Sequence, residues 1–172
     1  MERSKTEISA FQRLRNACLS RIEDARRMIS TEPALLNVRN SVGETVMHWL
    51  AVENQIAAVT ALLDLGAEVD PVNDFESTPL LECVTLENAE LVALFIVRGA
   101  SVSHVNDAGQ SPITVAASRK KPAMLNLVLS ALHPKIGINS LFDDWDANEA
   151  LDRGDEVAHL LEARGLRRRP MD

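Results

Sequence analysis

Apolar residues recur along this chain on two scales. Within short windows they fall three or four positions apart, the spacing of one helix face. The windows themselves return at one fixed step, as Ala51, Val84 and Ala117, as Leu62, Phe95 and Val128, and as Leu63, Ile96 and Leu129. Polar punctuation keeps the same step. Thr45, Thr78 and Ser111 stand before Val46, Pro79 and Pro112, and Gly66-Ala67 returns as Gly99-Ala100. Self-similarity at a period of about 33 residues predicts one supersecondary unit per period, stacked on its neighbours.

In chain order, residues 1–7 are polar and expected to fray. Ile8, Phe11, Leu14 and Cys18 predict an amphipathic helix over 8–18. Ile22, Ala25, Met28 and Ile29 predict a second over 22–29, stopped by Glu32-Pro33. This pair has no turn and Thr-Pro signature, and its charged outer face suits a terminal cap. From Asn40 the plan is explicit: a turn at Ser41-Val42-Gly43, Thr45 as N-cap accepting an orphan amide, helices over 46–53 and 55–65, and Gly66 as the stop. Residues 73–103 and 106–132 repeat it, now with proline after the cap, where only an already orphaned amide is forfeited. Beyond His133 the register is disturbed. Residues 134–140 read as an inserted loop. Helices follow over 141–151 (Leu141, Phe142, Trp145, Ala150) and 155–163 (Val157, Leu160, Leu161), and Gly165 closes the second. Leu62-Leu63 maps onto Leu160-Leu161, close to three periods on, so this stretch reads as a degenerate fourth unit. Residues 166–172, with Arg167-Arg168-Arg169, read as a flexible tail.

Composition narrows the picture. At 172 residues, 46% apolar but only 3% aromatic, the chain predicts one domain with an aliphatic core. A net charge of -7 argues against a nucleic-acid binder. Cys18 and Cys83 sit within apolar helical patterns, which predicts buried, reduced thiols rather than a disulfide or zinc framework. With no leader-like apolar segment and no apolar run near the roughly 18 residues of a membrane span, an intracellular, cytoplasmic protein without membrane partners is expected. No cofactor or metal is expected either. There is no glycine-rich phosphate loop and no His-Glu-x-x-His, and His48, His104, His133 and His159 lie in different units. Asp144-Trp145-Asp146-Ala147-Asn148 resembles the start of a calcium loop, with Asp155 at its twelfth place. Its sixth place holds Glu149, where such a loop needs glycine, and the segment reads as helix. Arg119-Lys120-Lys121, between the two helices of the third unit, reads as a solvated run or a local contact for an acidic partner.

Gly43-Glu44-Thr45-Val46-Met47-His48, with its downstream Ala, Leu-Leu and Gly-Ala, resembles the ankyrin repeat. Thr78-Pro79-Leu80 and then Gly109 with Ser111-Pro112-Ile113-Thr114 carry the likeness onward, while Glu76 stands for the glycine and Leu81 for the histidine. The resemblance implies an all-α fold, an ankyrin-repeat solenoid of stacked helix-turn-helix units with β-turn hairpin fingers. One domain over 1–172 would divide into an N-terminal cap 8–39, repeats 40–72, 73–105 and 106–133, a degenerate C-terminal cap 134–165 and a tail 166–172. It also implies a protein-binding concave face made of hairpin tips and first helices. Carried over position by position, that face holds Ser41, Val42, Glu44, Trp49, Val52 and Glu53 in the first repeat. It holds Asp74, Phe75, Ser77, Glu82, Thr85 and Leu86 in the second, and Asp107, Ala108, Gln110, Val115, Ser118 and Arg119 in the third. His48, at the motif's histidine, is expected to bridge loop backbones.

Trp49 and Phe75 are large apolar groups where the repeat demands no core residue, so they stand as interface anchors, or else as partial core and turn fillers. Glu44, Glu53, Asp74, Glu82 and Asp107 surround them and favour a partner with a basic patch. The function expected is a non-catalytic protein-binding module, monomeric when free. A dedicated inhibitor, such as a bacterial immunity protein neutralising a toxin enzyme, is the alternative within that class, beside an adaptor or an effector. An enzyme with its site in 120–155, where the pattern breaks, is disfavoured because no acid–base pair can be named there. A deep cleft would speak for the enzyme and an open face for the binder.

Overall fold

The computed structural model describes residues 5–133, 137–140, 142, 149–152 and 154–167. It is a succession of helix pairs: α1 (Lys5–Ser20) with α2 (Ile22–Thr31), α3 (Val46–Val52) with α4 (Ile56–Asp64), α5 (Pro79–Thr85) with α6 (Ala89–Val97), and α7 (Pro112–Ser118) with α8 (Pro122–Ser130). A C-terminal helix, Glu156–Ala163, follows α8, and residues 149–152 are also helical. Short 3-10 turns lie at Pro33–Asn37 and Ile138–Ser140. Among the described residues the β-structure is one isolated antiparallel bridge, between Arg39 and Thr45.

The helices of each pair pack on each other, and the pairs pack side by side. First helices neighbour first helices, α1 on α3, α3 on α5 and α5 on α7. Second helices do the same, α2 on α4, α4 on α6, α6 on α8 and α8 on the C-terminal helix. The cause is visible in the sequence. Leu14, Met47, Leu80 and Ile113 are spaced by the repeat period and all buried, as are Ile29, Leu62, Phe95, Val128 and Leu161. A single pair has an apolar side it cannot close alone, and the next pair covers it.

The step reaches both ends of the chain and corrects the reading of the last unit. Leu161, not Leu160, is the counterpart of Leu62, three full periods away, and it is fully buried while Leu160 is half-exposed. The tail is corrected too. Leu166 is fully buried and the Arg167 amide donates to Asn139 Oδ1 at 3.0 Å, so the chain is held at least that far. Asn139 Nδ2 in turn donates to the Gly165 carbonyl at 2.9 Å, and Ile138 is buried beside it. Leu141, Trp145, the calcium-like residues 144–148 and Arg168-Arg169 lie outside the described residues. Asp155 is an N-cap, its carboxylate accepting from the Ala158 amide at 3.0 Å.

The helix ends follow the expected chemistry with one change. Thr78 Oγ1 accepts from the Leu81 amide at 3.3 Å and Ser111 Oγ from the Thr114 amide at 3.2 Å. At Thr45 the cap is shared with His48, whose Nδ1 accepts from the Thr45 amide at 3.1 Å. At the other end the Ala67 amide reaches back to the Leu62 carbonyl (3.0 Å) and Ala100 to Phe95 (2.9 Å).

A candidate protein-binding face of fingers and first helices

Three loops, ahead of α3, α5 and α7, form fingers of one design. Asn40, Asn73 and Asn106, one period apart, each turn the backbone with their side chain. Asn40 Oδ1 accepts from the amides of Val42 and Glu44, both at 3.0 Å. Asn73 does so for Phe75 and Ser77 (2.9 and 3.0 Å), and Asn106 for Ala108 and Gln110 (3.0 and 2.9 Å). A short polar side chain that bonds two residues onward imitates a backbone turn and frees the loop from needing a sheet. The fingers are also bonded to one another. The Asp74 amide donates to the Val42 carbonyl at 3.1 Å, and the Asp107 amide to Phe75 at 3.2 Å. Arg39 adds a clamp, donating from Nη1 to the carbonyls of Gly43 (2.7 Å) and Val72.

Gly43 shows how close the fingers come. Its φ is +80°, and a Cβ there would stand 2.6 Å from the backbone nitrogen of Asp74. Gly109, at +74°, would meet nothing within 4 Å. Gly109→Ala should therefore cost only the left-handed strain, about 1 kcal/mol. Gly43→Ala should cost that plus a separation of the first two fingers, about 3 kcal/mol in all. Urea unfolding of the two variants checks the gap; equal losses would mean the fingers are not in contact. Glu76 takes the same conformation at φ +55° without glycine's freedom, held by His104, whose Nε2 donates to the Glu76 carbonyl at 2.8 Å.

His48 joins the first unit to the second. It is fully buried, with Nδ1 accepting from Thr45 and Nε2 donating to the Ser77 carbonyl at 3.0 Å. Only the neutral ring satisfies both partners. Burial pushes its pKa from 6.5 to about 4, the nearby Arg39 charge acting in the same direction and the Ser77 bond opposing. In the second unit Leu81 takes this place and is buried as an apolar residue; in the third, Thr114 Oγ1 accepts from the Ser111 amide at 2.8 Å.

Of the residues predicted for the face, Ser41, Val42, Val52, Glu53, Asp74, Phe75, Leu86, Asp107, Ala108, Gln110, Ser118 and Arg119 are exposed. Phe75 is the most open of the apolar ones, at 58%. Glu44, Glu82 and Thr85 are half-buried. Glu44 accepts from Asn40 Nδ2 at 2.6 Å and Glu82 from Ser77 Oγ at 2.9 Å, so both carboxylates brace the fingers. Trp49 is half-buried against the core, with the Arg15 guanidinium 5.1 Å from its ring centroid. Two residues leave the face. Ser77 is buried because its amide and carbonyl close the second finger and receive His48, and its hydroxyl is turned to Glu82. Val115 is buried as part of the core.

One exposed apolar residue at a first-helix end was not foreseen. Leu19 is exposed at the end of α1, and it stands one period before Val52. The period itself was the signal that could have found it. Among the described residues seven large apolar side chains are exposed, and five of them, Leu19, Val42, Val52, Phe75 and Leu86, sit at finger tips or first-helix ends. Val97 and Val105 lie elsewhere.

The chemistry at hand is sparse. Cys18 and Cys83 are buried thiols whose pKa values burial pushes up to about 11 and about 12, so both stay protonated and inert at neutral pH. Among the described residues no group of three His, Cys, Asp or Glu side chains could hold a metal ion. No described helix is long and apolar enough to cross a membrane.

No family model matches the chain. It is similar to the B-cell lymphoma 3 protein homolog of Mus musculus, 31% identical over 107 residues, which is 60% of this chain and 24% of that protein. It is also similar to the B-cell lymphoma 3 protein of Homo sapiens, 27% identical over 110 residues, 62% of this chain and 24% of that one. The chain thus spans about a quarter of the length of the curated relatives it matches.

Proposed function

We propose that this chain is an ankyrin-repeat solenoid that binds another protein through its fingers and first helices, without catalysis. The observation that carries the reading is that, of the seven large apolar side chains exposed among the described residues, five (Leu19, Val42, Val52, Phe75 and Leu86) stand at finger tips or first-helix ends. Exposed large apolar side chains concentrated at equivalent positions of successive units favour a partner that covers them. The similarity to the two relatives supports the reading, because 107 residues are slightly more than three repeat periods. Unit borders fall at Asn40, Asn73 and Asn106, where the side-chain turns begin. Glu53, Asp74 and Asp107 at the edge of the strip favour a partner with a basic patch. The free chain is a monomer in this reading, and buried free thiols suit an intracellular setting.

Affinity capture from the source cells tests it. The full chain is compared with a Phe75→Ser, Leu86→Ser double variant and with Val97→Ser, whose exposed side chain lies off the face. Loss of an anchoring aromatic in an interface centre costs about 2 kcal/mol or more, near 30-fold in affinity. The same partner should be held by wild type and Val97→Ser and lost by the double variant, with thermal melting points unchanged. Equal capture by all three would overturn the face.

A further inference from the structure

The exposed charges differ between the two ends of the first helices: one sign at the finger tips, both signs at the far ends, where Glu53 and Glu87 are exposed as well as Arg119 and Lys120. At the finger tips they are acidic, with Asp74, Glu76 and Asp107 all exposed and no basic side chain among Ser41-Val42-Gly43, Asp74-Phe75-Glu76 and Asp107-Ala108-Gly109. At the opposite edge, in the turn after α7, Arg119 and Lys120 are exposed next to each other. Their counterparts one unit earlier are Leu86 and Glu87, two units earlier Glu53 and Asn54, and three units earlier Ser20 and the exposed Arg21, so among these turns two adjacent cations occur in the third unit only. Lys121 beside it is held by Glu87 at 3.0 Å and does not add to it. Phe75 belongs to the acidic edge, between Asp74 and Glu76, and Leu86 to the opposite edge, one period before Arg119. A seven-residue first helix spans about 10 Å, so the two charged edges are one to two helical turns apart along a bound segment.

We propose that the face takes its partner segment in one direction: a short peptide element with basic residues over the finger tips, apolar residues on Phe75 and Leu86, and acidic residues over Arg119 and Lys120. The inference rests on the protein-binding reading above and adds to it the chemistry of the partner. Charge complementarity of this kind fixes register and rejects reversed docking, because like charges meet when the segment is turned round. A uniformly basic segment would satisfy the fingers but set its other end against Arg119 and Lys120.

A displayed library of random twelve-residue peptides, panned against the full chain, tests this. The best binder is then synthesised with two analogues, one with its acidic end made basic and one with its basic end made acidic. Their affinities are measured by fluorescence polarisation on wild type, on Arg119→Glu with Lys120→Glu, and on Phe75→Ser. Enriched sequences should carry Lys or Arg at one end and Asp or Glu at the other. The uniformly basic analogue should bind wild type about 10-fold more weakly than the parent and the double-charge variant more tightly than the parent does. Binders that depend on Phe75 but show no charge order, or an analogue ranking that the double-charge variant leaves unchanged, would overturn the direction while leaving the face intact. A panning that yields no Phe75-dependent binder would overturn the face as well.

Discussion

Phe95→Ala should lower the folding stability by about 3–5 kcal/mol, a large part of the roughly 5–15 kcal/mol typical of a domain this size. Phe95 is fully buried in α6 and stands one period from Leu62 in α4 and from Val128 in α8, both buried. Those helices flank α6 on its two sides. Truncation therefore opens a hole in the middle of the stack that no end can relieve by fraying. The same truncation at Leu161, in the helix Glu156–Ala163, removes a side chain that has a helix pair on one side only among the described residues, and such a unit can detach locally. Urea unfolding followed by circular dichroism should show one cooperative loss for Phe95→Ala and a smaller, less cooperative one for Leu161→Ala. Val97→Ala, at a side chain 81% exposed, should stay within about 0.5 kcal/mol of wild type. Similar losses at positions 95 and 97 would contradict the packing.

His48 should make the fold acid-sensitive. In the unfolded chain the imidazole takes its proton below about 6.5, but in the folded chain only below about 4. Between those values the unfolded state holds more protons, so stability is full above pH 6.5 and falls as the pH drops toward 4. The shift corresponds to about 3 kcal/mol. Asp70 works the other way. Burial raises its carboxyl pKa, so the folded chain is the better proton acceptor there and acid relieves it. The His48 contribution is isolated by comparison with His48→Leu, a substitution the second unit already tolerates as Leu81. The variant should be less stable at pH 7, because the Thr45 amide and Ser77 carbonyl lose a partner, yet the gap to wild type should close by about 3 kcal/mol between pH 6.5 and 4. A constant gap would mean that the ring is not held neutral.

How much of this could be read from the chain varies with the range of the physics involved. The helices and fingers were legible because their causes are local and periodic: Thr78-Pro79 starts a helix whatever surrounds it, and the fixed step repeats the apolar face. The turn role of Asn40, Asn73 and Asn106 was present in the same period but silent, since asparagine is as common on an open surface as in a turn. Burial on the face was less legible. Ser77 and Phe75 share one finger, and their difference arises from His48, far off in the preceding unit, which reaches the Ser77 carbonyl. Trp49 is half covered because Arg15 lies over it from α1, a contact between units that lacks any motif. The last unit misled by one position because its adjacent leucines, Leu160-Leu161, imitate the pair Leu62-Leu63, while the buried register falls on Leu161 alone.

Amide hydrogen exchange of the full chain, free and with its captured partner, tests the face directly. Bound partner should slow exchange in the fingers 40–44, 73–77 and 106–110 and at the ends of α3 and α5, while α4, α6 and α8 stay as they were. Protection concentrated on the second helices, with the fingers unchanged, would contradict the account.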